Sequence, residues 1–513
     1  MEVGFGRRWV GLGALALSML ALGFDMTILN VALTTLSADL DAGTRSLQWI
    51  VDAYLLVFAA LLLPAGLLGD RFGRKRLLLA GLAIFGAASL AGAFADGTAG
   101  VIAARAFMGL GAAIVTPLSM SVIPAIFPPD ERTRAVAIWS ASTALGLPLG
   151  PLLGGWLLEN FWWGSIFLIN VPVVAVGGVA IALLLPDTRD PAAPRVDVPG
   201  ALLSMGGLVA LVFGVIEAPV HGWGDPLVLG SLALAAVLLT GFVRWERRAR
   251  EPMIDLRLLR DARFGWALVA AVAANMVMGG ALFVVPQFLQ AVQGNDAFGT
   301  GLRLVPLLLG LIAGGLATDR IAPRTGHKPV IVAGTAVLAA GLGWGALGDA
   351  GAGYATVWPW LAVVGAGLGL ALIPAMDALL SSLPAHQAGR GSGLVQTLRQ
   401  TGATLGVAGL GSLSSAVYRG DVEVGGLPPE AADAARDSIG GAVDAAGRLG
   451  DPGLLASARE AYVAGMDAVL LACAAGALVT AVLLWRFLPG GTAGAGAAAG
   501  GDAAESTHEH AAS

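Results

Sequence analysis

Long apolar runs dominate this chain, and they restrict its fold more than any other feature. About 14 of them reach the roughly 20 residues that a helix needs to cross a bilayer. Their approximate limits are 9–33, 47–68, 77–95, 100–123, 135–158, 165–185, 198–218, 226–245, 264–290, 299–318, 330–348, 355–380, 392–417 and 462–487. The sequence therefore predicts an all-α, polytopic membrane protein whose main partner is the lipid bilayer.

Composition supports this class and argues against several others. Only 13% of the residues are charged and 56% are hydrophobic, whereas a soluble domain is about 25% charged. The net charge is −5 and the basic residues are spread over short loops, so a nucleic-acid partner is not expected. The single cysteine, Cys473, excludes a disulfide framework and a cysteine-based metal site.

Motifs for soluble chemistry are missing from the sequence. The phosphate-binding pattern G-x-x-x-x-G-K-[ST] does not occur, so this chain is not expected to use ATP. Patterns of metallopeptidases and serine hydrolases are also missing. We therefore expect a protein that is not an enzyme, with no metal and no cofactor, driven by a proton gradient if it transports.

Lysine and arginine are concentrated in alternate connections and near both ends of the chain. They include Arg7 and Arg8, the pair Arg132 and Arg134, and the segment 320–328. Because cytoplasmic loops carry the excess of basic residues, both termini are predicted to be cytoplasmic. The first run contains Asp25 and is too long for a cleavable leader, so it is expected to remain as a helix in the cell (plasma) membrane.

A dense polar loop, Gly66–Leu78, separates the second and third runs. Five charges fall within seven residues, 70–76, so this segment cannot lie in hydrocarbon. Gly69 and Gly73 permit tight turns, because glycine adopts left-handed backbone conformations at little cost. Without further context, the loop could be an ordinary basic connection on the cytoplasmic side.

The polar loop resembles the signature loop of the major facilitator superfamily, G-x-L-x-D-R-x-G-R-K. The resemblance implies a gating role for Gly66, Asp70, Arg71, Gly73 and Arg74. In this interpretation the basic residues pair with acids of the other half, and the contact must break before the transporter opens to the cytoplasm.

A weaker copy of the polar loop occurs in the second half of the chain. The segment 315–320 repeats the glycine-to-Asp-Arg spacing, ending in Asp319 and Arg320, which we also expect to take part in gating. The segment 326–328 then repeats the Gly-basic-Lys pattern. Such a repeat is typical of transporters built from two similar halves.

The resemblance and the repeat together predict the domain organisation. Residues 1–185 are expected to form an N-terminal six-helix bundle, and 186–263 two inserted linker helices with a cytoplasmic loop. Residues 264–487 are expected to form the C-terminal six-helix bundle, with an extracellular helical hairpin at 419–461. The segment 488–513 is rich in glycine and alanine, which predicts a disordered cytoplasmic tail.

Asp25 is the most informative residue of the first run. A carboxylate within a membrane helix is costly and by default marks a proton or ion pathway. The stretch 25–33 resembles the D-x-T-x-x-N-x-A-L-P motif of drug:proton antiporters, with Thr34 where that family has proline. The resemblance implies proton coupling and substrate binding at Asp25; the alternative is a structural carboxylate near the outer interface.

A second acid, Asp52, lies near the outer end of the second run beside Trp49 and Tyr54. The string W-I-V-D-x-Y is similar to a branch of exporters with about 14 helices that carry quaternary ammonium and other lipophilic cations. A carboxylate with nearby aromatic rings suits such cations. All three residues are candidates for substrate binding, and Asp52 also for proton coupling, although it could simply be a hydrated interfacial acid.

Arg105 lies within the fourth run, where an arginine must face the protein interior and find a partner. The segment 105–113 is similar to the family motif R-x-x-q-G-x-g-a-a, with Met108 in place of the usual polar residue. The resemblance implies proton coupling at Arg105 and substrate contact at Met108. The alternative is a structural charge that balances buried acids.

The fifth run contains a glycine-rich stripe with a proline. Gly146, Gly150 and Gly154 are four residues apart, Gly155 follows, and Pro151 favours a kink because it removes a backbone hydrogen bond. The stretch matches the antiporter motif g-x-x-x-G-P-x-x-G-G, which implies an exporter and a conformational role for these residues. An ordinary glycine-proline packing seam is the alternative.

Other polar residues in the runs are weaker candidates. Glu217, Asp377 and Asp467 lie near the ends of runs and are expected to be hydrated or to cap helices. Gln396, Arg399 and Gln400 occupy a run in which some relatives carry acids, which puts transport of divalent cations in doubt.

Together these features predict a proton-coupled multidrug antiporter that acts as a monomer and confers drug or antibiotic resistance. Asp25, with Asp52, would bind a proton or a lipophilic, cationic drug by turns while two halves rock around a cavity. An exporter dedicated to one endogenous metabolite or antibiotic is the first alternative. A membrane sensor that no longer transports is the second.

Overall fold

A computed structural model describes residues 5–40, 44–186, 197–249, 258–348, 353–383 and 388–489. Within these ranges the regular secondary structure is helical. The helices are α1 (Phe5–Asp39), α2 (Thr44–Phe72), α3 (Arg74–Ala93), α4 (Thr98–Ile126), α5 (Pro129–Asn160), α6 (Ser165–Leu168), α7 (Asn170–Leu184), α8 (Val198–His221), α9 (Pro226–Glu246), α10 (Ala262–Gln287), α11 (Ala297–Arg303), α12 (Val305–Thr325), α13 (His327–Gly345), α14 (Tyr354–Ser381), α15 (Ala388–Asp421), α16 (Pro429–Asp437), α17 (Ile439–Leu449) and α18 (Pro452–Phe487).

Twelve segments of the described chain are long and apolar enough to cross a membrane. The membrane-spanning fold predicted from the apolar runs is therefore confirmed. Two further long helices, α5 and α15, coincide with the predicted spans 135–158 and 392–417, so the helices are consistent with 14 spans. The polar residues of α15 are the reason that it stands out less by composition.

Several helices start at an aspartate that caps the exposed backbone N–H groups of the first turn. Asp261, for example, accepts hydrogen bonds from the backbone of Arg263 and Phe264 at 2.8 and 3.1 Å. Asp225 and Asp451 cap α9 and α18 in the same way. These caps satisfy donors that have no partner within the helix, and they fix where the helices begin.

The helices pack in two groups with corresponding neighbours. In the first, α1 packs on α5, and both α2 and α3 pack on α4. In the second, α10 packs on α15, and both α12 and α13 pack on α14. Helices α8 and α9 pack on each other, and α8 also contacts α2 and α15. The domain boundaries given above stay a prediction.

The two copies of the polar loop each turn at a single glycine. The expected turn at Gly69 is wrong, because Gly69 lies within α2 and the helix continues to Phe72. Helix α2 ends at Phe72, and Gly73 follows with φ of 100° before α3 begins. Helix α12 ends at Thr325, and Gly326 follows with φ of 82° before α13 begins. Both positions lie in the region that favours glycine, so a side chain there would strain the turn. We call the end of the bundle that carries these turns the basic end.

The segment predicted to form a hairpin contains the two short helices α16 and α17, which pack against each other. Ile439, Ala442 and Ala445 are buried on α17, and the Tyr418 hydroxyl donates to the backbone oxygen of Ala435 at 2.8 Å. Its location outside the cell stays a prediction. The predicted tail lies outside the described residues after position 489.

Candidate functional site

The two intramembrane charges that the sequence singled out form an ion pair. Arg105 of α4 donates from its Nη1 atom to Oδ2 of Asp25 of α1 at 2.7 Å. Asp25 is 1% exposed and Arg105 is 2% exposed. Because each charge satisfies the other inside the protein, removing one partner leaves an uncompensated buried charge, which costs about 3–5 kcal/mol.

Helix α2 completes the surroundings of Arg105. The Nε atom of Arg105 donates to the backbone oxygen of Ile50 at 3.2 Å. The guanidinium carbon lies 4.3 Å from the centre of the Tyr54 ring, which is a favourable cation–π geometry. Helix α2 comes this close because Gly109 of α4 has no side chain; a Cβ there would lie 2.5 Å from the Tyr54 backbone oxygen.

Asn170 and Ser89 join this cluster, and the sequence analysis missed both. The Asn170 amide donates to Oδ1 of Asp25 and to the Ser89 hydroxyl, each at 3.0 Å. Ser89 donates to the backbone oxygen of Phe167 at 2.8 Å. Asn170 is fully buried at the start of α7, and a polar residue in an apolar run was the only signal that could have indicated it.

Asn170 also carries a buried polar atom without a partner among the described residues, its Oδ1 atom. A buried acceptor without a donor is unfavourable. The Asn170 amide thus binds Asp25 and Ser89 through its NH2 group, while its oxygen has no partner among the described residues.

The glycine stripe of α5 determines how close α1 lies to it. A Cβ at Gly146 would lie 2.4–2.6 Å from backbone atoms of Gly23 and Phe24, and one at Gly150 would lie 2.0 Å from the Thr27 hydroxyl. These contacts flank Asp25 on both sides along α1. The stripe therefore positions the carboxylate.

The remaining residues of the stripe contribute differently. At Gly154 a Cβ would lie 2.8 Å from the Ile28 side chain, whereas Gly155 has open space around it. Pro151 lies within α5, but its side chain is outside the described part of the structure, so its predicted kink stays a prediction.

A cavity of about 180 Å³ lies between the two groups of helices. Its apolar and aromatic wall includes Met19, Met26, Tyr54, Phe58, Trp139 and Met278. Its polar wall includes Thr116, Ser140, Thr143, Asn275, Gln396, Arg399 and Gln400. A mostly apolar cavity with a few convergent polar groups is typical of small-molecule sites.

Of the predicted substrate-binding residues, Tyr54 lines this cavity. Asp25 itself lies behind the wall, although its neighbours Gly23 and Met26 are part of it. Met108 is fully buried within α4, and Trp49 is 36% exposed near the start of α2. Asp52 is half-buried on α2 and is not part of the cavity wall. Tyr54 therefore connects the ion pair to the cavity.

At the basic end, Asp70 and Arg74 bind each other. Arg74 donates from Nε and Nη2 to Oδ1 of Asp70 at 3.1 and 2.8 Å, and both side chains are buried. Arg71 and Arg320 are exposed, and Asp319 is half-buried. The predicted pairing with acids of the other half stays a prediction.

A contact between the halves does occur at Asp377, which the sequence analysis took for a hydrated or capping acid. That expectation is wrong. Asp377 of α14 is buried, and its Oδ2 atom accepts from the Thr133 hydroxyl of α5 at 3.0 Å and lies 2.9 Å from Nε2 of His327. The sequence could not show this, because the three residues belong to different helices.

Comparison with known proteins decides the family. The family model of the Major Facilitator Superfamily matches residues 15–407 of this chain. The chain belongs to the major facilitator superfamily. Two solved structures of the superfamily share the fold with a TM-score of 0.60 each. They are the human organic anion transporter MFSD10, 15% identical and matched over 93% of this chain and 98% of that one, and the proton:xylose symporter XylE, 12% identical and matched over 94% and 96%.

Relatives in sequence include proteins that are named for export or for drug resistance. The chain is 34% identical over 495 residues to the tetracenomycin C resistance and export protein of Streptomyces glaucescens, covering 93% of this chain and 91% of that one. It is 35% identical over 485 residues to the multidrug efflux pump LfrA of Mycolicibacterium smegmatis, covering 92% and 96%. It is 32% identical over 491 residues to the methyl viologen resistance protein SmvA of Salmonella typhimurium, covering 93% and 98%. The names of these three relatives refer to drug resistance, export or efflux.

Proposed function

We propose that this protein is a proton-coupled antiporter that exports lipophilic drugs or antibiotics across the plasma membrane. The observation that carries the proposal is the buried Asp25–Arg105 pair next to the cavity. A carboxylate inside the membrane by default marks a proton pathway. Here it accepts hydrogen bonds from side chains of α4 and α7 and lies behind the wall of the cavity between the two groups of helices.

The geometry offers a way to couple the proton to the cavity. A proton on Asp25 removes the negative charge that holds Arg105 at 2.7 Å. Arg105 then depends on its remaining partners, the Ile50 backbone oxygen and the Tyr54 ring. Because Tyr54 also lines the cavity, its position changes the shape of the drug site. A proton and a drug would thus favour different states of the protein, as antiport requires.

The proton gradient provides enough energy for this task. A membrane potential of about 100 mV supplies about 2.3 kcal/mol per charge that crosses the membrane. This corresponds to roughly 50-fold accumulation outside the cell when one net charge moves per cycle. We further propose that the protein acts as a monomer with both termini in the cytoplasm.

Replacing Asp25 by asparagine tests the proposal. The Asp25→Asn variant should lose the drug uptake into everted vesicles that a pH gradient drives, because its side chain no longer exchanges a proton. Asp39→Asn is the matched control, since Asp39 lies on the same helix and is exposed. Wild-type rates of drug-induced proton release in Asp25→Asn would refute the proposal.

A second variant separates loss of function from loss of folding. Asp25→Asn leaves Arg105 buried without its counter-ion, which is itself destabilising. Combining it with Arg105→Gln removes both charges, so the double variant should regain thermal stability without regaining proton coupling. Recovery of coupling in the double variant would place the proton on another residue.

Two substrate ranges are predicted for this exporter, many lipophilic cations or one antibiotic. The sequence predicts lipophilic cations, and the relative SmvA is named for resistance to methyl viologen. The relative from S. glaucescens is named for resistance to and export of tetracenomycin C, which favours an exporter of one antibiotic. A panel of lipophilic cations and antibiotics, tested for collapse of the pH gradient in everted vesicles, distinguishes broad from dedicated export.

A further inference from the structure

Arg399 is the charged side chain in the wall of the central cavity. It lies on α15, and its Nη1 and Nη2 atoms donate to the side-chain oxygens of Gln396 at 3.1 Å and of Asn275 at 3.2 Å. The sulfur of Met376 lies 3.8 Å from Nη1. All three partners are neutral, so the positive charge of the guanidinium is not compensated by any of them.

The contrast with Arg105 shows what is missing. Arg105 has the carboxylate of Asp25 at 2.7 Å, whereas no carboxylate of the described residues lies within ion-pair distance of Arg399. The Nε atom of Arg399 is buried and has no hydrogen-bond partner among the described residues. A partly buried guanidinium without a counter-ion is unfavourable and is expected to bind an anion or a strong acceptor when one is present.

The rest of the cavity indicates the shape of such a ligand. Tyr54, Phe58 and Trp139 supply aromatic surface, and several methionines supply adaptable apolar surface. The amides of Gln396 and Gln400 stand beside the guanidinium in the same wall. The cavity therefore combines an apolar, aromatic interior with one cationic edge that is rich in hydrogen-bond donors.

We propose that this cavity binds aromatic or polycyclic compounds through an anionic edge, such as a carboxylate or an ionised phenol, which Arg399 recognises. This inference rests on the proposed export function and adds the substrate class to it. It replaces the cation preference predicted from sequence at this site, because Asp25 and Asp52 do not line the cavity. Planar guanidinium groups bind carboxylates through paired hydrogen bonds, which gives selectivity as well as affinity.

The experiment uses three probes that share one ring system, anthraquinone, and differ in a single substituent. One probe carries a carboxylate, one a neutral amide and one a quaternary ammonium group. Transport of each is measured in proteoliposomes containing the full chain, with and without a proton gradient. The variants are Arg399→Gln, Arg399→Lys and, as a matched control, Arg419→Gln, which changes an exposed arginine at the end of the same helix.

In wild-type protein we expect the carboxylate probe to have the lowest KM. Arg399→Gln should raise this KM roughly 10- to 100-fold, as loss of a charge-assisted hydrogen bond does, and should leave the amide probe within about two-fold. Arg399→Lys should restore part of the loss, because it keeps the charge but not the paired geometry. Arg419→Gln should behave as wild type with all three probes.

Two results would overturn the assignment. One is an equal loss for all three probes in Arg399→Gln, which would make Arg399 a structural residue. The other is a wild-type preference for the ammonium probe. A wild-type preference for the carboxylate probe that does not depend on the proton gradient would instead support the Arg399 assignment and contradict the proposed coupling, so the two failures are distinguishable.

Discussion

Replacing Gly146 by alanine should separate α5 from α1 and impair transport. The added Cβ would lie 2.4 Å from the Gly23 carbonyl carbon and 2.5 Å from the Phe24 nitrogen. These are backbone atoms and cannot rotate away. Restoring an ordinary contact needs a helix shift of about 1 Å, because protein interiors are close-packed.

The magnitude follows from this overlap. Adding a methyl group to a well-packed interior costs about 1–3 kcal/mol. Alanine favours a helix over glycine by about 1 kcal/mol, so the measured loss is what remains after that gain. The shift also moves Phe24, the residue before Asp25, so the 2.7 Å contact with Arg105 cannot be kept unchanged.

The assay compares Gly146→Ala with Gly155→Ala, a matched control on the same helix. A Cβ at Gly155 would meet nothing within 4 Å, so this variant should be as stable as wild type or more stable. We expect Gly146→Ala to have a lower unfolding midpoint in detergent. We also expect roughly ten-fold slower proton-coupled efflux, which corresponds to a transport barrier raised by about 1.4 kcal/mol. Equal stability and transport in the two variants would refute the packing explanation.

Substitutions at three further residues test the surroundings of the site. Asn170→Ala removes a donor to Asp25 and should lower stability by about 1–3 kcal/mol while shifting the pH dependence of efflux; an unchanged pH profile would contradict its place in the cluster. Tyr54→Leu should slow efflux more than Tyr54→Phe, which keeps the ring over the guanidinium; equal effects would argue against the ring's role. Asp377→Ala removes the acceptor that joins α14 to Thr133 of α5 between the halves. In a Thr143→Cys background, which places a thiol in the cavity wall, labelling by a thiol reagent added at the basic end should then be faster.

Asp25 and Asp52, the two acids of the first group of helices, have different surroundings in the structure. From the sequence, both were predicted to bind the proton and the cationic drug at one common site. In the structure Asp25 is enclosed by protein, while the cavity carries the positive charge of Arg399. In the proposed mechanism the proton site and the drug site are therefore adjacent but separate, and Tyr54 contacts both the Arg105 guanidinium and the cavity.

Much of the fold is determined by the sequence because the bilayer restricts the alternatives. Helices of about 20 apolar residues are required to span it, so apolar runs can be counted directly. The glycine turns at residues 73 and 326 are also visible in the sequence, because a glycine followed by a basic residue and a lysine recurs in both halves. Arg105 had to be buried and paired for the same reason, since an intramembrane charge needs a partner.

The sequence could not identify the partners, since these come from helices far apart in the chain. Asn170 lies 145 residues from Asp25, and Thr133 lies 244 residues from Asp377. Whether a polar side chain faces a cavity, a partner or lipid depends on how the helices rotate and cross. Only the packed bundle therefore decided that Asp25 is enclosed and that Asp377 bridges the halves. It also decided that Arg399 faces the cavity with no counter-ion among the described residues.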